Sequence, residues 1–287
     1  MNNSHHHRIR HALIATLAGA LAVPALWAIV PLTAQAAVAC NEAALVAAVN
    51  AANTAGGGSV VLTPGCTYTL TRSHANAGHG PDGLPVIKTV ISFSGSNNVI
   101  ARSLAPATPS FRIAEVSSKG NFTLNGVTLT NGLAVGSGGG ILNNGSVTMT
   151  GSGLTNNRAS GTGGGLSNTG VASPATGTTA TFTSSTVGGN TATGRGGGVY
   201  NGLRGTLTTT SSFVTTNTSG NRGGGIAAIS STATTLTSTP VNANVALLGA
   251  GGVYRLSGVM TITTSPITGN VPNNCVGSSP AVPSCTA

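Results

Sequence analysis

A short glycine cluster closed by an aliphatic residue recurs through the second half of this chain and constrains its fold more than any other feature. The last glycine of each cluster is Gly140, Gly165, Gly198, Gly225 or Gly252, followed by Ile141, Leu166, Val199, Ile226 or Val253. A second marker, aliphatic-x-x-Asn, ends at Asn157, Asn190, Asn217, Asn244 and Asn270. The glycines step by 25, 33, 27 and 27 residues and the asparagines by 33, 27, 27 and 26, so both markers follow one period. Ordering glycine costs more backbone entropy than ordering any other residue. A chain that returns to it at a regular interval is making one corner many times. The 33-residue repeat carries its excess in "VASPATGT", residues 171–178, whose Pro174 and Gly177 read as an outward loop.

A third column is Thr-apolar-Thr: Thr148-Met149-Thr150, Thr181-Phe182-Thr183, Thr206-Leu207-Thr208, Thr235-Leu236-Thr237 and Thr261-Ile262-Thr263. Alternation at period two marks a strand with one face buried. No helical periodicity separates the repeats. Short strands returning in the same order stack on their predecessors, which predicts an all-β parallel β-helix of about eight coils. Equivalent residues then form ladders about 4.8 Å apart. Asparagine at a corner tolerates the left-handed conformation, and stacked amides hydrogen-bond along the ladder.

Other uses of the glycines are excluded. A phosphate-binding P-loop needs a following Lys-Ser/Thr, and a dinucleotide fingerprint needs a strand, a helix and a downstream acid. Calcium-binding glycine repeats need an acid in every turn, whereas Glu42, Asp82 and Glu115 are the only acids and none follows Glu115. Ten basic residues follow position 36, but they are scattered and no Lys/Arg cluster interleaves with aromatics, so nucleic acid is not an expected partner. Aliphatic residues in register argue against a disordered linker. No cofactor or metal is expected.

The ends read differently. Arg8 and Arg10 precede an apolar run from Ala12 to Pro31, and Ala34-Gln35-Ala36 offers a small-x-small cleavage pattern. Residues 1–36 are therefore read as a signal peptide, with no membrane span after its removal. Residues 37–287 form a single domain: an N-terminal cap (37–66), coils (67–274) and a C-terminal disulfide loop (275–287). In the cap, "NEAALVAAVNAAN" (41–53) predicts a helix with Asn41 as N-cap, Glu42 in its first turn and a stripe of Leu45, Val46 and Val49. Four cysteines in an exported chain imply two disulfides. Of three pairings, Cys40–Cys66 and Cys275–Cys285 are favoured because each closes a short loop at one end.

The pairing of Gly-Gly-Gly-aliphatic with aliphatic-x-x-Asn resembles the repeats of chlamydial polymorphic outer-membrane proteins. From about Cys40 to Cys285 the chain is also similar to secreted bacterial right-handed β-helix proteins of the pectin-lyase-like superfamily. The stretches that carry this are "NEAALVAAVNAANTAGGGSVVLTPGCTYTL", "GLPVIKTVISFSGSNNVIARS" and "GNFTLNGVTLTNG". The resemblance implies a right-handed helix, so that the fold class is a right-handed parallel β-helix, and an extracellular or cell-surface location. It also implies adhesion, as in the polymorphic proteins, or polysaccharide cleavage, as in many β-helix enzymes.

Glycosidases of this fold need two carboxylates about the scissile bond, and residues 116–287 contain none. Asp82 and Glu115 are not expected to form a row there. Asp82, with His74 and His79, falls in "SHANAGHGPDG", read as a solvated loop. The candidate ligand-binding residues are Arg195 and Arg222, each directly before a glycine triplet, with Tyr200 and Tyr254, two coils apart in one column with Ala227 between them. Like charges in adjacent coils favour an anionic partner. The threonine rows raise an ice-matching face, but variable coil lengths and interrupting Ser and Gly argue against it, and outward Thr is a good strand residue. The reading is a secreted, monomeric, non-catalytic surface or matrix protein that binds carbohydrate or mediates adhesion. An extracellular lyase or hydrolase of acidic polysaccharide is the alternative.

Overall fold

A computed structural model describes residues 36–170 and 177–286. Residues 1–35 of the segment expected to be a signal peptide and most of the loop assigned to "VASPATGT" lie outside the described residues. Helix α1 (Glu42–Thr54) is N-capped by Asn41, whose side chain accepts from the Ala44 amide. Its buried residues are Leu45, Val49 and Ala52. Val46, placed on the stripe by sequence, is only partly buried; Ala52 takes its place because i, i+4, i+7 faces the first coil.

The remainder is a right-handed parallel β-helix in which each central coil has four sides. The first side stacks Ser146–Thr150, Thr178–Thr183, Gly205–Thr210, Ala233–Thr237 and Val259–Thr263. The second stacks Gly153–Thr155, Thr186–Gly188, Phe213–Thr215, Val241–Asn242 and Ile267–Thr268. Both continue from the long strands Val90–Arg102 and Asn121–Thr130, so they belong to one 14-stranded sheet. The third side consists of two-residue strands, from Leu133–Ala134 to Val245–Ala246. The fourth is a 6-stranded sheet of Ala114–Val116, Ile141–Asn143, Leu166–Asn168, Val199–Asn201, Ile226–Ile229 and Val253–Leu256.

Six strands on that side mean about six turns, not eight. The first level is completed by residues 81–87 and the last by residues 271–285 rather than by regular fourth-side strands. Both ends are closed. Cys40–Cys66 ties the approach to α1 to the first strands, and Cys275–Cys285 closes the terminal loop, from which Val282 packs against the core.

The two sequence markers touch. Asn217 donates Nδ2–H to Asn244 Oδ1 at 2.9 Å and to the Val187 carbonyl at 3.0 Å. Its own Oδ1 accepts from Asn190 Nδ2 at 3.0 Å and from the Asn190 amide at 2.9 Å. The same pattern runs from Asn157 through Asn190, Asn217 and Asn244 to Asn270, ending on Asn274, and all five are buried. A Cβ on Gly198 would lie 2.9 Å from Asn217 Nδ2 and 2.7 Å from the Gly225 carbonyl. The glycines are therefore the space in which the amide ladder fits.

Two details differ from expectation. The ladder asparagines do not hold the left-handed conformation. It belongs to the residue before each one: Asn156, Gly189, Thr216, Ala243 and Gly269, with φ of 54, 66, 57, 53 and 62°. The ladder residue is chosen for its amide, and its predecessor makes the corner. Second, Thr206-Leu207-Thr208 is two residues out of line. Phe182 pairs with Thr209 and Thr209 with Leu236, so the aligned triplet is Thr208-Thr209-Thr210 with Thr209 turned inward and buried.

Two further ladders were not read from sequence. Asn143 donates to Asn168 and Asn168 to Asn201, each at 2.8 Å, and Asn201 to Thr234 Oγ1 at 2.9 Å. Three residues past the glycine column, they stop where Ala228 and Arg255 take the position. The other ladder joins Ser152, Ser185, Ser212, Thr239 and Ser265 through backbone amides.

Replacing Asn217 with Leu removes the amide bonds on both sides and strands buried partners. Its expected cost is roughly 1–3 kcal/mol, seen as a lower chemical-denaturation midpoint; an unchanged midpoint would contradict the ladder's role.

Candidate functional site

The outward column of the fourth side runs Glu115, Leu142, Ser167, Tyr200, Ala227, Tyr254. Only Tyr200 among the six is more than slightly exposed. Three adjoining hollows follow the column's N-terminal part and the cap, with volumes of about 470, 420 and 340 Å³. The first and second share Lys88, and the second and third share His79 and Asn144. Lys119 lines the second and Tyr200 the third.

The segment 74–82 is solvent-exposed at its tip, residues 76–79, but it is an anchored hairpin rather than a free loop. Ala75–Asn76 and Pro81–Asp82 pair antiparallel, and the hairpin is fixed at both ends. His74 Nε2 lies 2.8 Å from Glu42 Oε1. Burial pushes the Glu42 carboxyl up, but hydrogen bonds from Thr71 and His74 outweigh it and hold the group below its ordinary range. At the other end His79 Nδ1 lies 2.8 Å from Glu115 Oε1, with the imidazole half exposed and the carboxylate buried.

Asp82 and Glu115, which sequence distance kept apart, converge on one buried guanidinium. Arg112 Nη1 donates to Asp82 Oδ1 at 2.7 Å and to Glu115 Oε2 at 3.2 Å, and it also reaches the Gly80 carbonyl at 3.1 Å. The strand entering the fourth side brings Arg112 and Glu115 together, and residue 82 pairs beside residue 112 in parallel. Burial pushes the Asp82 carboxyl up to about 7, opposed by Arg112 and assisted by Glu115, which competes for that same guanidinium. Its Oδ2 is buried without a partner. Among the described residues, no three His, Cys, Asp or Glu side chains gather to hold a metal ion.

Farther along, the candidate residues from sequence fall into two Arg/Tyr pairs. Arg222 Cζ stands 5.2 Å over the Tyr254 ring, and its Nη1 donates to Tyr254 Oη at 3.1 Å. Arg195 lies beside Tyr200, whose hydroxyl burial pushes up in pKa and Arg195 pulls back. The Gly196 amide donates to the Arg222 carbonyl, so the arginines occupy successive levels. Arg195 Nε is buried and has no hydrogen-bond partner.

Comparison with family models, curated proteins and solved structures finds no match. The chemistry of this side must therefore be read from its own residues. Two imidazoles and two lysines line these hollows, whose acids are already held by Arg112 and histidine. Tyr200 beside Arg195 adds partly exposed aromatic surface with donors at its edge, whereas Tyr254 is buried under Arg222. Among the described residues no helix is long and apolar enough to cross a membrane.

Asp82 supplies a pH test. Its carboxyl holds a proton more tightly in the folded chain than in the unfolded one, so its contribution to stability is full below pH 3.8 and is lost as pH rises toward about 7. Asp82→Asn should remove that decline. Urea midpoints of parent and variant, compared at pH 4 and pH 7.5, should show a greater relative loss for the parent at pH 7.5; parallel behaviour would refute the assignment.

Proposed function

We propose that this chain is a secreted, non-catalytic β-helix protein that binds an extended acidic polysaccharide along its fourth side. The observation that carries this reading is Arg195, half-buried beside Tyr200 with an orphaned Nε, one level from Arg222 on Tyr254. A buried donor without an acceptor is costly. The Nε itself is closed to solvent, so a ligand carboxylate would meet this guanidinium at its Nη groups, and no acid of the chain follows Glu115 to occupy them. A polymer with a charge on each sugar fits cations repeated from level to level, and a sugar ring stacks on Tyr200, the partly exposed member of the column. Two disulfides fit an oxidising compartment, and the resemblance to pectin-lyase-like and polymorphic outer-membrane proteins supports a surface or matrix role.

A second reading, cleavage of the same polymer, has one observation in its favour. His79 is half exposed beside two hollows and is oriented by buried Glu115, an arrangement suited to proton transfer. It is the weaker reading. Asp82 and Glu115 are 0 and 2% exposed and both held by Arg112, so neither carboxylate reaches a glycosidic bond.

Binding to polygalacturonate should weaken as salt rises, because exposed charge contacts are screened. The double variant Arg195→Gln, Arg222→Gln should lose it while keeping the parent's circular dichroism. Retention of binding by the folded double variant removes these residues from the site, and release of unsaturated or reducing ends by the parent replaces binding with catalysis.

A further inference from the structure

The first side of the β-helix carries a surface unlike any other among the described residues. In true register, Thr123, Thr148, Thr181, Thr208, Thr235 and Thr261 form one outward column without interruption. Two residues along, Thr150, Thr183, Thr210, Thr237 and Thr263 form a second. A shorter third column, Ser146, Thr179 and Thr206, borders them before passing to Ala233 and Val259. No register shift interrupts the five strands that carry the columns from Ser146 to Thr263. The Ser and Gly that interrupt neighbouring positions in the sequence fall outside these two columns, which strand pairing continues through Thr208 and Thr210.

Three properties of this face point to one class of ligand. It is a regular mesh: strands stand about 4.8 Å apart and alternate residues about 6.7 Å apart along each strand. It is uncharged, because the five strands contain no Asp, Glu, Lys or Arg in a chain with 12 basic residues. Its hydroxyls are free for an outside partner: among the described residues the only hydroxyl–hydroxyl bond across these columns is Ser146 Oγ with Thr179 Oγ1, at 2.8 Å.

A surface ion orients its hydration shell about itself and disrupts any neighbouring lattice. A neutral face does not, so its charge character matches a neutral lattice. Threonine adds a methyl that displaces liquid water and a hydroxyl that can donate once and accept twice. Its β-branch restricts the rotamer, so equivalent hydroxyls repeat with the strands. Ice presents rectangular meshes of oxygen atoms of similar dimensions. Ordering a bridging water costs up to about 2 kcal/mol, a cost already met in water that is frozen.

We infer that the first side binds the surface of ice, with the two full threonine columns as the contact. This face is separate from the Arg/Tyr side and does not rest on the polysaccharide reading.

The test measures partition of the full chain into a slowly growing ice hemisphere, together with inhibition of ice recrystallisation. Albumin serves as the non-binding reference. The parent should enter ice and hold crystals small. Thr208→Lys, at the centre of the longer column, should abolish both effects with circular dichroism unchanged. Thr235→Lys, one level on, serves if that variant fails to fold. The Arg195→Gln, Arg222→Gln chain should keep full ice activity whatever it does to glycan binding. The inference is overturned if the folded parent is excluded from ice like albumin, or if folded Lys variants retain its activity.

Discussion

The amide ladder that begins at Asn157 is the interaction on which the rest of the molecule depends. A parallel solenoid of short strands has little to prevent one level from slipping past the next, and a slip of one residue exchanges inward and outward side chains. The repeats differ in length, so uniform spacing cannot hold the phase. The ladder can. Asn190, Asn217 and Asn244 each accept from the level before, donate to the level after, and donate to a carbonyl of the level before. A hydrogen bond adds only about 0.5–1.5 kcal/mol net, whereas a stranded buried partner costs about 1–3. That asymmetry makes the ladder a device for register more than for stability. Glycine is required beside it because a Cβ at Gly198 would occupy the place of the Asn217 amide.

The N-terminal levels reach the same end by other chemistry. There the fourth side has no asparagine stack, and Arg112 serves as the hub, drawing in the backbone at Gly80 and the carboxylates of Asp82 and Glu115. Two acids on one guanidinium leave an excess negative charge in the interior. The Asp82 carboxyl answers this: pushed up to about 7, it holds its proton over much of the acidic range, while His79 Nδ1 lies 2.8 Å from Glu115 Oε1. The hairpin at 75–82 is consequently bound to the solenoid through charge, whereas the coils beyond it are joined by neutral amides and hydroxyls.

What was legible in the sequence follows from what repeats. The glycine and asparagine columns mark positions where a single residue type fits, so they survive in the sequence as a period and reveal the parallel stack. The second asparagine ladder was overlooked because it lasts only three levels before Ala228 replaces it. The threonine columns were read two residues out at one level because Thr209 is buried among apolar neighbours, and polarity alone cannot separate an inward from an outward threonine. The Arg112 cluster had no signal of its own kind. Its members lie at 79, 82, 112 and 115, each occurs once, and only the return of the chain after the hairpin brings them together.

Strand geometry does not by itself explain the difference between the outward faces. On the fourth side the outward column changes at every level, through Glu115, Leu142, Ser167, Tyr200, Ala227 and Tyr254. On the second it passes through Thr155, Gly188, Thr215, Asn242 and Thr268. Threonine suits a strand on any of these sides, so intrinsic preference would scatter it among all of them. It is uniform over six levels on the first side alone. The interior does not demand this, since the inward neighbours range from Ala180 to Leu207 to Thr234 along one column. A uniformity that neither the strand nor the core requires has its cause outside the protein, in a partner that is itself regular.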